Sequence, residues 1–110
     1  MPLIKQYVQA MLHQDSVALS ELFSSTAIFV DYCPTDAGQP QYHAYGPEGI
    51  DMFFRNRFIF RTFEISDPII VSDTQAYYYA IYGGYPVRAI ATIQDFSQDG
   101  EIQRMIVRPA

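Results

Sequence analysis

Residues 62–108 carry four consecutive runs rich in β-branched and aromatic side chains, each bounded by turn residues. Thr62–Val71 is interrupted late by Asp67-Pro68, and Gln75–Tyr82 follows it. Gly83-Gly84 suits a two-residue hairpin turn, whose central positions need positive φ. Pro86–Phe96 is the third run, and Gln98-Asp99-Gly100 turns the chain into Glu101–Arg108. Strands joined this tightly pair antiparallel, because a parallel pair needs a crossover of roughly a dozen residues or more.

The preceding residues follow a different period. Ile4, Tyr7, Val8, Met11 and Leu12 recur at three- and four-residue spacing, which predicts an amphipathic helix to about His13, with Pro2 at its start. Gln14-Asp15-Ser16 breaks it and offers Asp15 or Ser16 as the next N-cap. A short second helix carries Val17, Leu19, Leu22 and Phe23, and Thr26–Tyr32 reads as a strand. Cys33–Tyr45, with Pro34, Gly38 and Pro40, reads as a polar loop. A third helix begins at Gly46-Pro47-Glu48-Gly49-Ile50, with Ile50, Phe53, Phe54 and Phe58 as its apolar stripe. Arg55, Arg57 and Arg61 fall near its C-terminal end, where cations are favoured. The order predicts one α+β domain over residues 1–110, its three helices packed on one face of a mostly antiparallel sheet. Such a sheet would curve into a cone with an internal pocket.

Composition narrows the function classes. Seven Lys/Arg against twelve Asp/Glu leave a net charge of −5, which argues against wrapping a phosphate backbone. No run approaches the 18 or so apolar residues of a membrane span. Met1-Pro2-Leu3-Ile4-Lys5-Gln6 lacks the basic start of a secretory signal, and the lone Cys33 has no intrachain partner. Both features predict a cytoplasmic chain. Cys33, His13 and His43 cannot supply four Cys/His metal ligands, and no nucleotide fingerprint is present. The nine tyrosines must then serve a core, a pocket or an interface.

Three stretches carry a resemblance. They are Leu19-x-x-Leu22-Phe23-x-x-x-Ala27-x-Phe29-x-Asp31, Tyr45-Gly46-x-Glu48-x-Ile50-x-x-Phe53-Phe54, and Phe96-x-x-Asp99-Gly100-x-Ile102. In this order the chain resembles the nuclear-transport-factor-2-like superfamily, which includes SnoaL-like cyclases and ketosteroid isomerase, over nearly its whole length. The fold implied is a small α+β cone, and it hosts isomerases, dehydratases, epoxide hydrolases, cyclases and noncatalytic binders.

Aligned without gaps to ketosteroid isomerase through the first two helices and first strand, Tyr7 matches the helix-one tyrosine of the oxyanion hole, and Asp31 matches the aspartate that shuttles the proton. Counting back from Phe96, Thr92 replaces the second oxyanion donor, while Phe23 and Phe54 replace supporting tyrosines. A threonine hydroxyl is a weaker donor than a neutral carboxylic acid. The resemblance further implies Met11, Phe53, Tyr78, Ile90, Met105 and Val107 as pocket lining. Periodicity alone reads the same residues as core.

Asp31 also stands out by position. Alternation along its strand places Ala27, Phe29 and Asp31 on one face, where desolvation would raise the carboxyl pKa towards a range useful for proton transfer. Its competing role is to cap the loop that follows. For Tyr7 the competing role is a core tyrosine bonded to any acceptor. A base and a donor facing one cavity would enolise an apolar, carbonyl-bearing ligand without metal or organic cofactor. In Tyr77-Tyr78-Tyr79, the middle ring faces one side with Ala80 and Tyr82, and its two neighbours face the other. With Tyr78 inward, Tyr77 and Tyr79 lie on a sheet face that no helix remains to cover. That predicts a homodimer through the outer sheet face.

Overall fold

A computed structural model describes all of residues 1–110. Helix α1 (Leu3–Leu12) is followed by α2 (Ser16–Ser20), strand β1 (Phe23–Asp31), a 3₁₀ turn (Cys33–Ala37), β2 (Tyr42–Tyr45) and α3 (Gly46–Ile59). Strands β3 (Phe63–Ile70), β4 (Gln75–Tyr82), β5 (Tyr85–Phe96) and β6 (Ile102–Pro109) complete the chain. One six-stranded sheet runs in the order β2-β1-β6-β5-β4-β3. The β1–β6 pair is parallel and the other four neighbouring pairs are antiparallel. This is the α+β arrangement expected: a curved sheet, open at its edges, with the helices on one face. No helix is long and apolar enough to cross a membrane.

Local chemistry explains the turns. Asp15 ends the gap between the first two helices by accepting from the Ala18 backbone N–H at 3.0 Å. Gly83 and Gly84 take φ of 59° and 90°, the two left-handed positions of a tight hairpin. At Gly46, φ is 68° and a Cβ would meet the Ser25 carbonyl at 3.1 Å, so glycine lets α3 start against β1. Asp67 bulges β3, with φ 51° and a register shift between Ser66 and Ile69.

Two boundaries differ from the sequence reading. The second helix stops at Ser20, and Phe23 already belongs to β1, paired with Ile102. The helical spacing of Leu22 and Phe23 loses to a ladder in which Ile102 N–H donates to Leu22 O at 2.9 Å. Residues Cys33–Tyr45 are also more ordered than a polar loop. Pro34 is the second residue of the 3₁₀ turn, and β2 pairs antiparallel with the end of β1.

The interior is one apolar cluster fed by every element. It includes Ile4, Tyr7 and Met11 from α1, Phe29 from β1, Ile50 and Phe54 from α3, and Met105 and Val107 from β6. Phe29 and Phe54 meet edge to face at 5.2 Å, a geometry worth roughly 0.5–1.5 kcal/mol beyond area burial. On β4 the inward residues are Ala76, Tyr78, Ala80 and Tyr82, and on β5 they are Val87, Ala89, Ala91 and Ile93.

Candidate active site

Asp31 is the last residue of β1, on its inward face, and only 2% exposed. Its Oδ1 accepts the Cys33 backbone N–H at 2.9 Å, and its Oδ2 accepts the Tyr82 hydroxyl. Two donors serve a group that can accept about four hydrogen bonds. Burial accordingly pushes the Asp31 carboxyl up to about 6, against the pull of Tyr82 and Cys33. A carboxyl in that range can both take and return a proton near neutral pH.

Tyr7 projects from α1 into the same interior, fully buried, and its hydroxyl oxygen lies 2.8 Å from that of Tyr78. Burial raises the pKa of both phenols well above the ordinary value, and the Asp31 charge adds to that rise. Burial and then the Asp31 charge raise Tyr82 in the same direction. Asp31, Tyr7, Tyr78 and Tyr82 therefore form one electrostatically linked set inside the cone. At neutral pH its phenols are donors, and Asp31 is its single acid. The Cys33 thiol next to it is buried and pushed up, first by burial and then by the Asp31 charge, so it stays protonated and unreactive.

The remaining predicted residues divide by face. Met11, Met105 and Val107 are buried in the interior, and Phe53 sits at its edge, half-buried, with its ring 4.9 Å from that of Tyr42. Thr92 and Ile90 do not join them. Both lie on the outer face of β5, in a shallow recess with Gln94, Ile106 and Arg108. Thr92 there accepts from the Gln75 side-chain amide at 3.2 Å. Thr92 and Ile90 alternate with the inward Ala89, Ala91 and Ile93, so the position reached by counting back from Phe96 falls on the outer face. Thr92 is thus no second oxyanion donor, and Ile90 lines no interior pocket.

The expected internal pocket is filled with side chains. Tyr7, Met11, Phe29, Phe54, Tyr82 and Met105 pack with almost no exposure, because six large groups occupy a small cone. Tyr82 and Tyr42 belong to this set although sequence reasoning gave them no role. The signal for Tyr82 was its shared strand face with Tyr78. Tyr42 was hidden in a Pro- and Gly-rich stretch, and its ring lies 5.5 Å from that of Tyr82.

No family model matches the chain, and no curated protein does. Solved structures do match in fold. One is a protein with a ketosteroid isomerase-like fold from Catenulispora acidiphila, in complex with trimethylamine: TM-score 0.64, 16% identity, covering 96% of this chain and 82% of that one. A SnoaL-like protein of unknown function from Burkholderia thailandensis gives a TM-score of 0.64 at 14% identity, covering 96% and 89%. An uncharacterised cystatin-fold protein from Novosphingobium aromaticivorans gives 0.67 at 17%, covering 96% and 93%. The chain therefore has the α+β fold of these ketosteroid isomerase-like, SnoaL-like and cystatin-like structures.

Proposed function

We propose that this chain is a SnoaL-like small-molecule enzyme that moves a proton on an apolar, carbonyl-bearing ligand. Asp31 takes the proton next to the carbonyl, and Tyr7, polarised by Tyr78, donates to the oxygen as charge develops there. The observation that carries the reading is a carboxyl only 2% exposed, raised to about 6, that shares its interior with the Tyr7–Tyr78 hydroxyl pair. Its ligand would enter by displacing interior side chains, which also strips water from the site.

A second reading has its own observation. The Cys33 N–H bond to Asp31 is the cap geometry of a structural aspartate. On that reading the chain is a noncatalytic module that binds a hydrophobic ligand or protein, and it pairs through Tyr77 and Tyr79.

Solvent deuterium uptake separates the two. A panel of apolar cyclic ketones is incubated with the protein in D₂O, and exchange next to the carbonyl is followed by proton NMR. Catalysed exchange that falls by roughly 10²–10⁴ in Asp31→Asn, with ketone binding retained, supports the enzyme. Ketone binding with no exchange by the native protein supports the module.

A further inference from the structure

A second candidate site lies outside the Asp31 set, at the C-terminal end of α3. Arg57 leaves that helix half-buried, with its guanidinium carbon 3.6 Å from the Phe53 ring centroid and 4.9 Å from that of Tyr42. Its Nε is buried and has no hydrogen-bond partner. One terminal nitrogen reaches only long contacts, to Phe53 O at 3.4 Å and Asn56 Oδ1 at 3.5 Å. The one side-chain ion pair of the chain, Arg55–Asp51, lies on an exposed face of the same helix and leaves Arg57 without a counter-ion. Beside the guanidinium is a cleft of about 430 Å³ lined by Gln39, Gln41, Tyr42, Asn56 and Thr62. Its polar groups are amides and hydroxyls, with no acid among them.

We propose that this cleft binds the carboxylate of a small aromatic acid, with Arg57 as its cation. A planar guanidinium held against two rings is fixed before any ligand arrives, so little side-chain entropy is lost on binding. A partly desolvated cation with no counter-ion is costly alone and is relieved by a carboxylate, which can accept from its two terminal nitrogens in parallel hydrogen bonds. The lining offers one cation, which suits a monoanion better than a phosphate dianion. Tyr42 and Pro40 in the lining give an aromatic ring apolar surface beside the charge, and the volume falls in the range of roughly 300–1,000 Å³ typical of small-molecule sites.

Tyr42 also joins the cleft to the interior, because its ring packs on Tyr82, the donor to Asp31. The cleft stands on its own geometry. That the acid held there is also the ligand of Asp31 rests on the reading proposed above.

Benzoate, benzyl alcohol and inorganic phosphate are titrated into the full chain at constant ionic strength and followed by ¹H–¹⁵N NMR. The expected result is saturable benzoate shifts at residues 39, 41, 42, 56, 57, 62 and 83, with affinity about tenfold or more above that for benzyl alcohol or phosphate. Asn56→Asp places a carboxylate beside Arg57 on an exposed position without disturbing its packing, and should weaken benzoate about tenfold. Arg57→Lys should do the same; if that variant fails to fold, Asn56→Asp carries the test. Asp31→Asn should leave benzoate binding within about twofold, so failure of the catalytic reading does not read as failure of this one. Equal affinity for benzyl alcohol, equal affinity for phosphate, shifts located elsewhere, or benzoate binding unchanged in Asn56→Asp would each overturn the proposal.

Discussion

Tyr82, on β4, donates its phenolic hydrogen to Asp31 at the end of β1, a bond that spans 51 residues of sequence and lies wholly inside the cone. The bond joins two strands that are not neighbours in the sheet, since β6 and β5 run between them. It therefore reports on the closure of the curved sheet as well as on the charge state of Asp31.

Removing that donor has two consequences of known sign. Tyr82→Phe deletes a group that lowers the Asp31 pKa, so the carboxyl should titrate above 6. It also leaves a buried acceptor short of a partner, a loss of roughly 1–3 kcal/mol at neutral pH. Urea denaturation at pH 7 and pH 5 measures both effects. Destabilisation should be smaller at pH 5, where Asp31 is largely protonated in the folded variant.

Asp31 itself makes stability depend on pH in the direction opposite to an ordinary paired aspartate. Its folded pKa, about 6, lies above the unfolded value near 4, so the native state binds more protons between these pH values. This contribution is therefore present below about pH 4 and is lost as pH rises through 6. The loss is on the order of 3 kcal/mol, taking about two pKa units at 1.36 kcal/mol each. Asp31→Asn keeps the shape and removes the ionisation, so the variant should be more stable than the native chain at pH 7 and no more stable at pH 4. Thermal melts across that range test it. A variant less stable at pH 7 would mean that the charged carboxylate is well accommodated.

The outer sheet face carries the other expectation. Tyr77 and Tyr79 point away from the helices, Tyr79 is 38% exposed, and the Arg88 guanidinium lies 5.4 and 5.7 Å from the two ring centroids. Replacing both tyrosines by Lys beside Arg88 should convert dimers into monomers in sedimentation velocity. A native chain that is already monomeric, or a double variant that stays dimeric, would remove the interface from this face.

The fold was readable because it rests on two strong periods. Tyr7 and Met11 follow the helical stripe, and the alternation of Tyr77-Tyr78-Tyr79 separates the middle ring from its two neighbours, as the sheet does. Alternation says which residues share a face but not which face is inside, and β5 shows the cost. Its inward residues include the small Ala89 and Ala91, while the bulkier Ile90 faces out with Thr92, so the face implied by the resemblance was the outer one. Small residues are needed there because large rings from α1 and β4 already fill the space. The filled interior was equally unreadable, since core and pocket lining have the same pattern. Arg57 was legible only as one cation near a helix end, because its setting depends on Tyr42, whose strand lay in a stretch dominated by turn residues.

The Asp31 carboxyl can be observed directly, by ¹³C-detected titration of the side-chain carboxyl carbon in uniformly labelled protein between pH 3 and 9. A midpoint near 6 that moves up in Tyr82→Phe is the predicted result. A midpoint near 4, the ordinary aspartate value, would contradict the account of Asp31 as a buried proton-exchanging group.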